Sequence, residues 1–375
     1  MKKKFLALLL TFTMVLGLAA CGGGSGGQTP NGDTQSGGGQ QQTDAQQPSG
    51  GETAGSAGKI AVIRNMENSD HTAQFFQGCI DEGEALGYTV DTFMSNQDDV
   101  VMQDLMEQAL SKDYDIWIVS HANEGYQYEV ISKAVEKGIK VVGFDCGGEH
   151  VPGVTYTSQN DIALSQLSLD AMIEGVEAAG GQQPVKFAEI NILGLIVPFD
   201  TRHGVIEEYM AGGKLDCVEI ISPNLGGDTY SQIYTATTTV LNKNEGKIGL
   251  WAASSGFLDG AVDAINDAGR QDDVTITAVD ISNTELARMV SAPNYYACAA
   301  VDPYVIGMVD VRLAVLKVLG VETPETYALE PVNIYGSQIT DSDDMSNLDQ
   351  KFDDFGSTEA FNTDEIEAER DKYAK

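Results

Sequence analysis

The chain has 375 residues, and a globular body beyond roughly 250–300 residues divides into more than one core, so two lobes are expected. A hydrophobic share of 42% beside 21% charged residues excludes wholesale disorder. A net charge of −34 excludes nucleic acid or an anionic lipid surface as the partner of the folded body.

Residues 1–20 read as a leader. Lys2, Lys3 and Lys4 make a positive start, and an apolar run follows that is short of the roughly 20 residues needed to span a bilayer. Leu18-Ala19-Ala20-Cys21 matches the lipobox of bacterial lipoproteins, in which the Cys sulfur is diacylated and becomes the new N-terminus. The other reading is a plain secretory leader with an incidental Cys21. Acyl chains on one Cys give the two hydrophobic anchors that stable attachment requires. Residues 21–58 are then the lipidated Cys21 and a flexible linker of Gly, Ser, Gln, Thr, Asp and Pro that cannot bury a core. The expected location is extracytoplasmic, lipid-anchored to the cell membrane. Cys79, Cys146, Cys217 and Cys298 are widely spaced in or beside apolar stretches, which favours buried free thiols over a disulfide framework.

The body alternates strand and helix. Apolar runs at 59–63, 88–93, 114–120, 140–144 and 154–157 read as strands, with helical spacing at 72–86, 98–111 and 125–137. The rhythm then restarts. Helices are expected at 160–177, 201–211, 230–241, 258–268 and 284–290. Strands are expected at 186–195, 218–221, 247–252 and 275–279. A strand at 296–300, a helix at 305–319 and a strand at 331–335 follow. An acidic tail from 341 to 375 ends in a short helix at 363–373. Continuous apolar strands between amphipathic helices predict an α/β fold with two doubly wound parallel-sheet lobes.

Missing motifs narrow the chemistry. There is no GxGxxG after the first strand and no GxxxxGK[ST], so dinucleotide and P-loop sites are not expected. There is no HExxH and no GxSxG, and His71, His121, His150 and His203 do not pair at metal spacing. Ser254-Ser255-Gly256 imitates a nucleophile region, but no base stands near it in sequence. No catalysis, cofactor or metal is expected.

In open α/β sheets, ligands bind beyond the carboxyl ends of the strands. Residues just after each strand are therefore site candidates. They include His71, Asp145, Asn160, Asp161, Arg202, Ser254, Asp280 and Asp302, with Tyr230 available to cover an apolar face. Carboxylates accept from paired hydroxyls and Arg donates in a fork, which suits a polyhydroxylated ligand such as a monosaccharide. The competing role for Asp145, Asp161 and Asp280 is capping the next helix. Arg202 competes as a surface Arg, His71 as a satisfied loop His, and Phe75 and Phe76 as core.

Five stretches together resemble one family. They are Lys59-Ile60-Ala61-Val62-Ile63, residues 78–87, residues 138–145 ending in Phe144-Asp145, Gly260-Ala261-Val262-Asp263-Ala264-Ile265, and Ala278-Val279-Asp280; Asp302-Pro303 and Gly307 close the pattern. Over 59 to about 340 the chain resembles the substrate-binding lipoproteins of sugar ABC transporters, the ribose/galactose-type periplasmic binding proteins. The resemblance implies the type I fold, two lobes joined by a three-crossover hinge. Lobe one would hold 59–158 and 303–324, and lobe two 159–302 and 325–340. It places the family's ligand-binding residues on Asp145, Asn160, Asp161, Arg202 and Asp280. Where such proteins often carry Asn-Pro-Phe-Phe, this chain has Ser69-Asp70-His71-Thr72, and Cys146 stands where an Arg commonly follows Asp145. The implied partners are an ABC permease and a small ligand, with the protein a monomer. A sensor of the same fold that binds a nucleoside or signalling molecule is the second reading, and a secreted enzyme the third.

Overall fold

In chain order the first half builds β1 (Gly58–Arg64), α1 (Asp70–Ala85), β2 (Tyr88–Met94), α2 (Asp99–Leu110), β3 (Ile116–Ser120), α3 (Gln127–Glu136), β4 (Lys140–Phe144) and β5 (Thr155–Gln159). The second half builds α4 (Asp161–Ala178), β6 (Val185–Ile190), α5 (Val197–Ala211), β7 (Leu215–Ile221), α6 (Thr229–Lys243), β8 (Ile248–Ala252), α7 (Asp259–Asp267), β9 (Val274–Val279), α8 (Asn283–Ser291) and β10 (Tyr295–Ala300). Then come α9 (Pro303–Val318), β11 (Thr326–Leu329), β12 (Val332–Tyr335) and α10 (Asp364–Tyr373). These elements belong to a computed structural model, which describes residues 56–374. The leader, Cys21 and the linker up to residue 55 lie outside the described residues.

The strand β1 shows why the lobes are layered. Ile60 and Val62 pack with Phe75 and Cys79 of α1 and Val309 of α9, while Ala61 and Ile63 pack with Met102 and Met106 of α2 and Ile131 of α3. Successive side chains leave a strand on opposite faces, so a strand apolar at every position requires cover on both. Each Ile, Val, Phe or Met among them stabilises by roughly 1.5–3 kcal/mol when fully buried. Capping fixes where the helices start. Ser69, Asp98, Asn160, Asp228, Ser282 and Asp302 each accept a backbone N–H in the first turn of the following helix. A cap of this kind contributes about 1 kcal/mol.

The first sheet runs β11-β5-β4-β3-β1-β2 and is parallel throughout. The second runs β12-β10-β9-β8-β6-β7 and is parallel except where β12 pairs antiparallel with β10. The chain passes between the sheets three times, at residues 160, 301–302 and 330–331. One boundary differs from the sequence reading, which gave residues 325–340 to lobe two. Residues 326–329 form β11, which pairs with β5 in the first sheet. The open edge of β5 offers unpaired backbone groups, and Pro331, lacking an N–H, ends the strand before the crossing.

The acidic tail is packed. Met345, Leu348 and Phe355 join the core of the second lobe, and Ile366 of α10 joins that of the first. Arg312 donates to Glu82 at 2.8 Å and to the carbonyls of Thr358 and Ala360, and Arg370 reaches the same Glu82 at 2.7 Å. Cys79, Cys146, Cys217 and Cys298 are free thiols. No described helix is long and apolar enough to cross a membrane.

Candidate functional site

The carboxyl ends of the strands of both sheets line one cleft. Three residues that directly follow a strand hold the left-handed backbone region that side chains other than glycine rarely adopt: His121 (φ 60°) after β3, Asp145 (φ 46°) after β4 and Asp280 (φ 75°) after β9. Each still donates its backbone N–H to the neighbouring strand, His121 to Phe144, Asp145 to Thr157 and Asp280 to Ala299. The ladder therefore runs to the last residue and then turns sharply. The left-handed turn costs of order 1–2 kcal/mol per residue, and such strain gathers at binding sites.

On the second lobe Arg202 of α5 is the organiser. Its Nε and Nη2 both lie 2.8 Å from Asp161 Oδ1, its Nη1 lies 3.6 Å from Asp280 Oδ2, and Nη1 also donates to the Ala253 carbonyl. The guanidinium side chain is 4% exposed, while Asp161 and Asp280 are 18% and 29% exposed. Arg202 thus holds two carboxylates at the cleft surface. Ser254 follows Ala253 directly and opens the turn at Ser255–Phe257.

On the first lobe the buried counterpart is Arg64, at the end of β1. Its Nε donates to Thr72 Oγ1 at 3.3 Å, Nη1 to Ser120 Oγ at 2.8 Å and Nη2 to His71 Nδ1 at 3.0 Å. The guanidinium carbon sits 4.4 Å from the centre of the Phe75 ring, which in turn stacks on Phe144. Burial holds the Arg64 pKa down to about 10. Burial and the Arg64 charge push His71 down to about 3, and the same causes lower His121. Both imidazoles are therefore neutral at physiological pH.

Asp145 faces both groups. Its carboxylate lies 3.9 Å from His121 Nε2. Burial raises it to about 7, aided by the negative charges of Asp161 and Asp280 and opposed by Arg202 and Arg64. A carboxyl of the first lobe that feels both acids and the Arg of the second lies across the cleft from them. The rims also touch directly, because Asp70 at the start of α1 accepts the backbone N–H of Asn283 at the start of α8.

The sequence candidates divide accordingly. His71, Asp145, Asp161, Arg202 and Asp280 meet in the cluster, and Ser254 adjoins it. Neither Asp145 nor Asp280 caps a helix; Ser282 caps α8. Three candidates lie elsewhere. Asn160 caps α4 through Oδ1 and donates through Nδ2 to Glu330, tying two hinge crossings together. Tyr230 stacks on Tyr234 and donates to Asp263, bridging α6 and α7 on an exposed face. Asp302 accepts from the N–H groups of Tyr304 and Gly356, capping α9 and pinning the tail. Asp302 also lines a separate cavity of about 470 Å³ with Val301, Glu330, Pro331, Asp353 and Thr358, behind the hinge and away from the cluster. Phe75 is fully buried core. The strand-end rule also reaches Arg64, which follows the first strand in the sequence reading but is not selected there, and it reaches Ser120 and His121, which that reading does not take up.

No curated protein matches the sequence. Among solved structures, a sugar ABC transporter protein from Yersinia enterocolitica is 30% identical, with a TM-score of 0.67 over 84% of this chain and 95% of that one. A 5-methylthioribose transporter solute-binding protein from Thermotoga lettingae is 22% identical, with a TM-score of 0.67 over 84% and 97%. A periplasmic solute-binding protein from Actinobacillus succinogenes with bound D-allose is 19% identical, with a TM-score of 0.63 over 75% and 98%. The family model described as a periplasmic binding protein domain matches residues 60–321. Two α/β lobes, three crossings and a polar cleft between strand ends thus accompany a match over most of the chain, and the protein belongs to the periplasmic binding protein family.

Proposed function

We propose that the protein is an extracytoplasmic, lipid-anchored solute-binding protein that captures an uncharged monosaccharide or a similar polyol between its lobes and hands it to an ABC permease. The observation that carries this reading is the facing arrangement of Asp145 on one lobe and the Asp161–Arg202–Asp280 group on the other. A sugar presents hydroxyls on both faces of its ring, and each carboxylate accepts two of them. A ligand held by both rims stabilises the closed arrangement, which is the state a permease distinguishes. No bond is made or broken in this scheme.

The charge balance argues for an uncharged ligand. Both guanidinium groups are engaged by protein partners: Arg202 by Asp161, Asp280 and Ala253, and Arg64 by Thr72, Ser120 and His71. Three carboxyl groups stand with them, so a phosphate or carboxylate ligand meets no unengaged guanidinium in this cluster and is repelled. Related structures carry 5-methylthioribose and D-allose, so alkylthio-pentoses belong in the test beside pentoses and hexoses.

A thermal-shift panel of pentoses, hexoses, alkylthio-pentoses, sugar phosphates, nucleosides and amino acids tests the proposal. A ligand at 1,000 times its dissociation constant stabilises by about 4.1 kcal/mol, which moves the midpoint by several degrees. An uncharged sugar should shift it, Arg202→Met should abolish that shift, and the matching sugar phosphate should do nothing. A shift with nucleosides or amino acids alone overturns the ligand class. Mass-spectrometric identification of Cys21 carrying a diacylglyceryl group in the membrane fraction tests the anchor.

A further inference from the structure

Arg64 is a donor through all its N–H groups and accepts nothing. That fact propagates. Nη2 donates to His71 Nδ1 at 3.0 Å, so that nitrogen must be the acceptor of the ring. Nη1 donates to Ser120 Oγ at 2.8 Å, and the same hydroxyl lies 2.7 Å from His121 Nδ1. Ser120 is fully buried, and among the described residues its hydroxyl has these two partners alone. A buried hydroxyl hydrogen without an acceptor carries a desolvation penalty of about 1–3 kcal/mol, so the hydroxyl accepts from Arg64 and donates to His121. His121 Nδ1 is then an acceptor as well. Its Nε2 faces Asp145 Oδ2 at 3.9 Å, as a protonated nitrogen should.

We propose that Arg64 is a positioning residue that sets the tautomers of both histidines, so that His71 and His121 each carry their single proton on Nε2 and give the first lobe two fixed N–H donors, that of His121 facing the Asp145 carboxylate. The proposal rests on the reading of this cleft as the ligand site. It deepens that reading by naming what the first lobe selects. The ligand offers oxygen lone pairs to the two imidazoles and a hydroxyl hydrogen to Asp145. A ligand that presents an ammonium or amide N–H at the imidazole positions meets a donor with a donor. Neutral imidazoles hold this pattern across the physiological range, because burial and then the Arg64 charge oppose a second proton on either ring.

The test is two-bond proton–nitrogen correlation spectroscopy on the protein labelled with nitrogen-15 at histidine. His71→Gln and His121→Gln assign the signals. The expected spectrum shows, for both rings, an unprotonated Nδ1 and a protonated Nε2 from about pH 6 to about pH 8. A proton on Nδ1 of either ring, or a doubly protonated ring in that range, overturns the proposal. Ser120→Ala separates the two relays. It should release His121 to a mixture of tautomers and leave His71 unchanged; a shift of His71, or none at His121, overturns the relay. Arg64→Met should release both rings where it folds, and the Ser120→Ala result stands without it. The spectrum needs no ligand, so failure here is distinct from failure of the sugar reading, which the thermal-shift panel reports.

Discussion

The Asp145 carboxyl is the acid of this cleft whose titration decides how the site responds to pH. Burial and the neighbouring acids raise it to about 7, against roughly 4 in an unfolded chain. The folded protein therefore binds this proton more tightly than the unfolded chain. Its stabilising contribution is complete below about pH 4 and is lost as the pH rises through about 7. Ligand affinity runs the opposite way, because a sugar hydroxyl donates to the ionised form. Calorimetric titration should show binding weakening below about pH 7, approaching tenfold per unit, and Asp145→Asn should flatten that slope. Arg202 supplies a second prediction. Removing it leaves Asp161 and Asp280 without a counter-charge in a largely buried position, so Arg202→Met should lower unfolding stability by about 3 kcal/mol in denaturant titration. Restoring neutrality with Asp161→Asn in the same chain should recover part of that loss.

Among the elements, α1 and α9 cross most closely. A Cβ at Gly78 of α1 would overlap the Tyr304 carbonyl, and one at Gly307 of α9 would overlap the Phe75 carbonyl. The two glycines are thus the points where the backbones touch, and they stand in two of the stretches that carry the family resemblance. Gly78→Ala or Gly307→Ala forces the helices apart and should cost roughly 1–3 kcal/mol, read as a lowered midpoint of thermal unfolding. The tail supplies the other element-scale lesson. Its composition reads as solvated and acidic, yet four apolar residues, Met345, Leu348, Phe355 and Ile366, are buried. Ile366→Ala should therefore destabilise by about 2–5 kcal/mol, as a core substitution does. Four apolar residues spread over more than twenty positions leave no periodic signal for sequence to show.

At the scale of the whole molecule the two rims meet. The Asp70–Asn283 contact joins the rims, and the tail runs from the second lobe's core to the first lobe's Glu82 across the crossings at 301–302 and 330–331. The tail is a fourth tie between lobes besides the three crossings. Asp70→Ala removes a contact that exists only when the lobes meet. It should weaken ligand affinity several-fold through the closed population while leaving the open protein's stability unchanged, and small-angle scattering should show a larger mean radius without ligand.

The sequence by itself determined the alternation of strand and helix, the two parallel sheets and most of the cluster, because buried parallel strands are apolar at every position and because ligands meet such sheets at strand ends. Asp145, Asp161 and Asp280 could be named from that rule alone, whereas Arg202 lies within α5, twelve positions past the end of β6. Only the tertiary structure decided which polar residues were free to serve the cleft. Asn160, Tyr230 and Asp302 have suitable chemistry, but their partners, Glu330, Asp263 and the Gly356 N–H, are far away in sequence and commit them elsewhere. The same holds for Arg64, whose effect on His121 passes through Ser120, 56 positions away. Local composition encodes what a residue can do; its hydrogen-bond partner, set by folding, decides what it does.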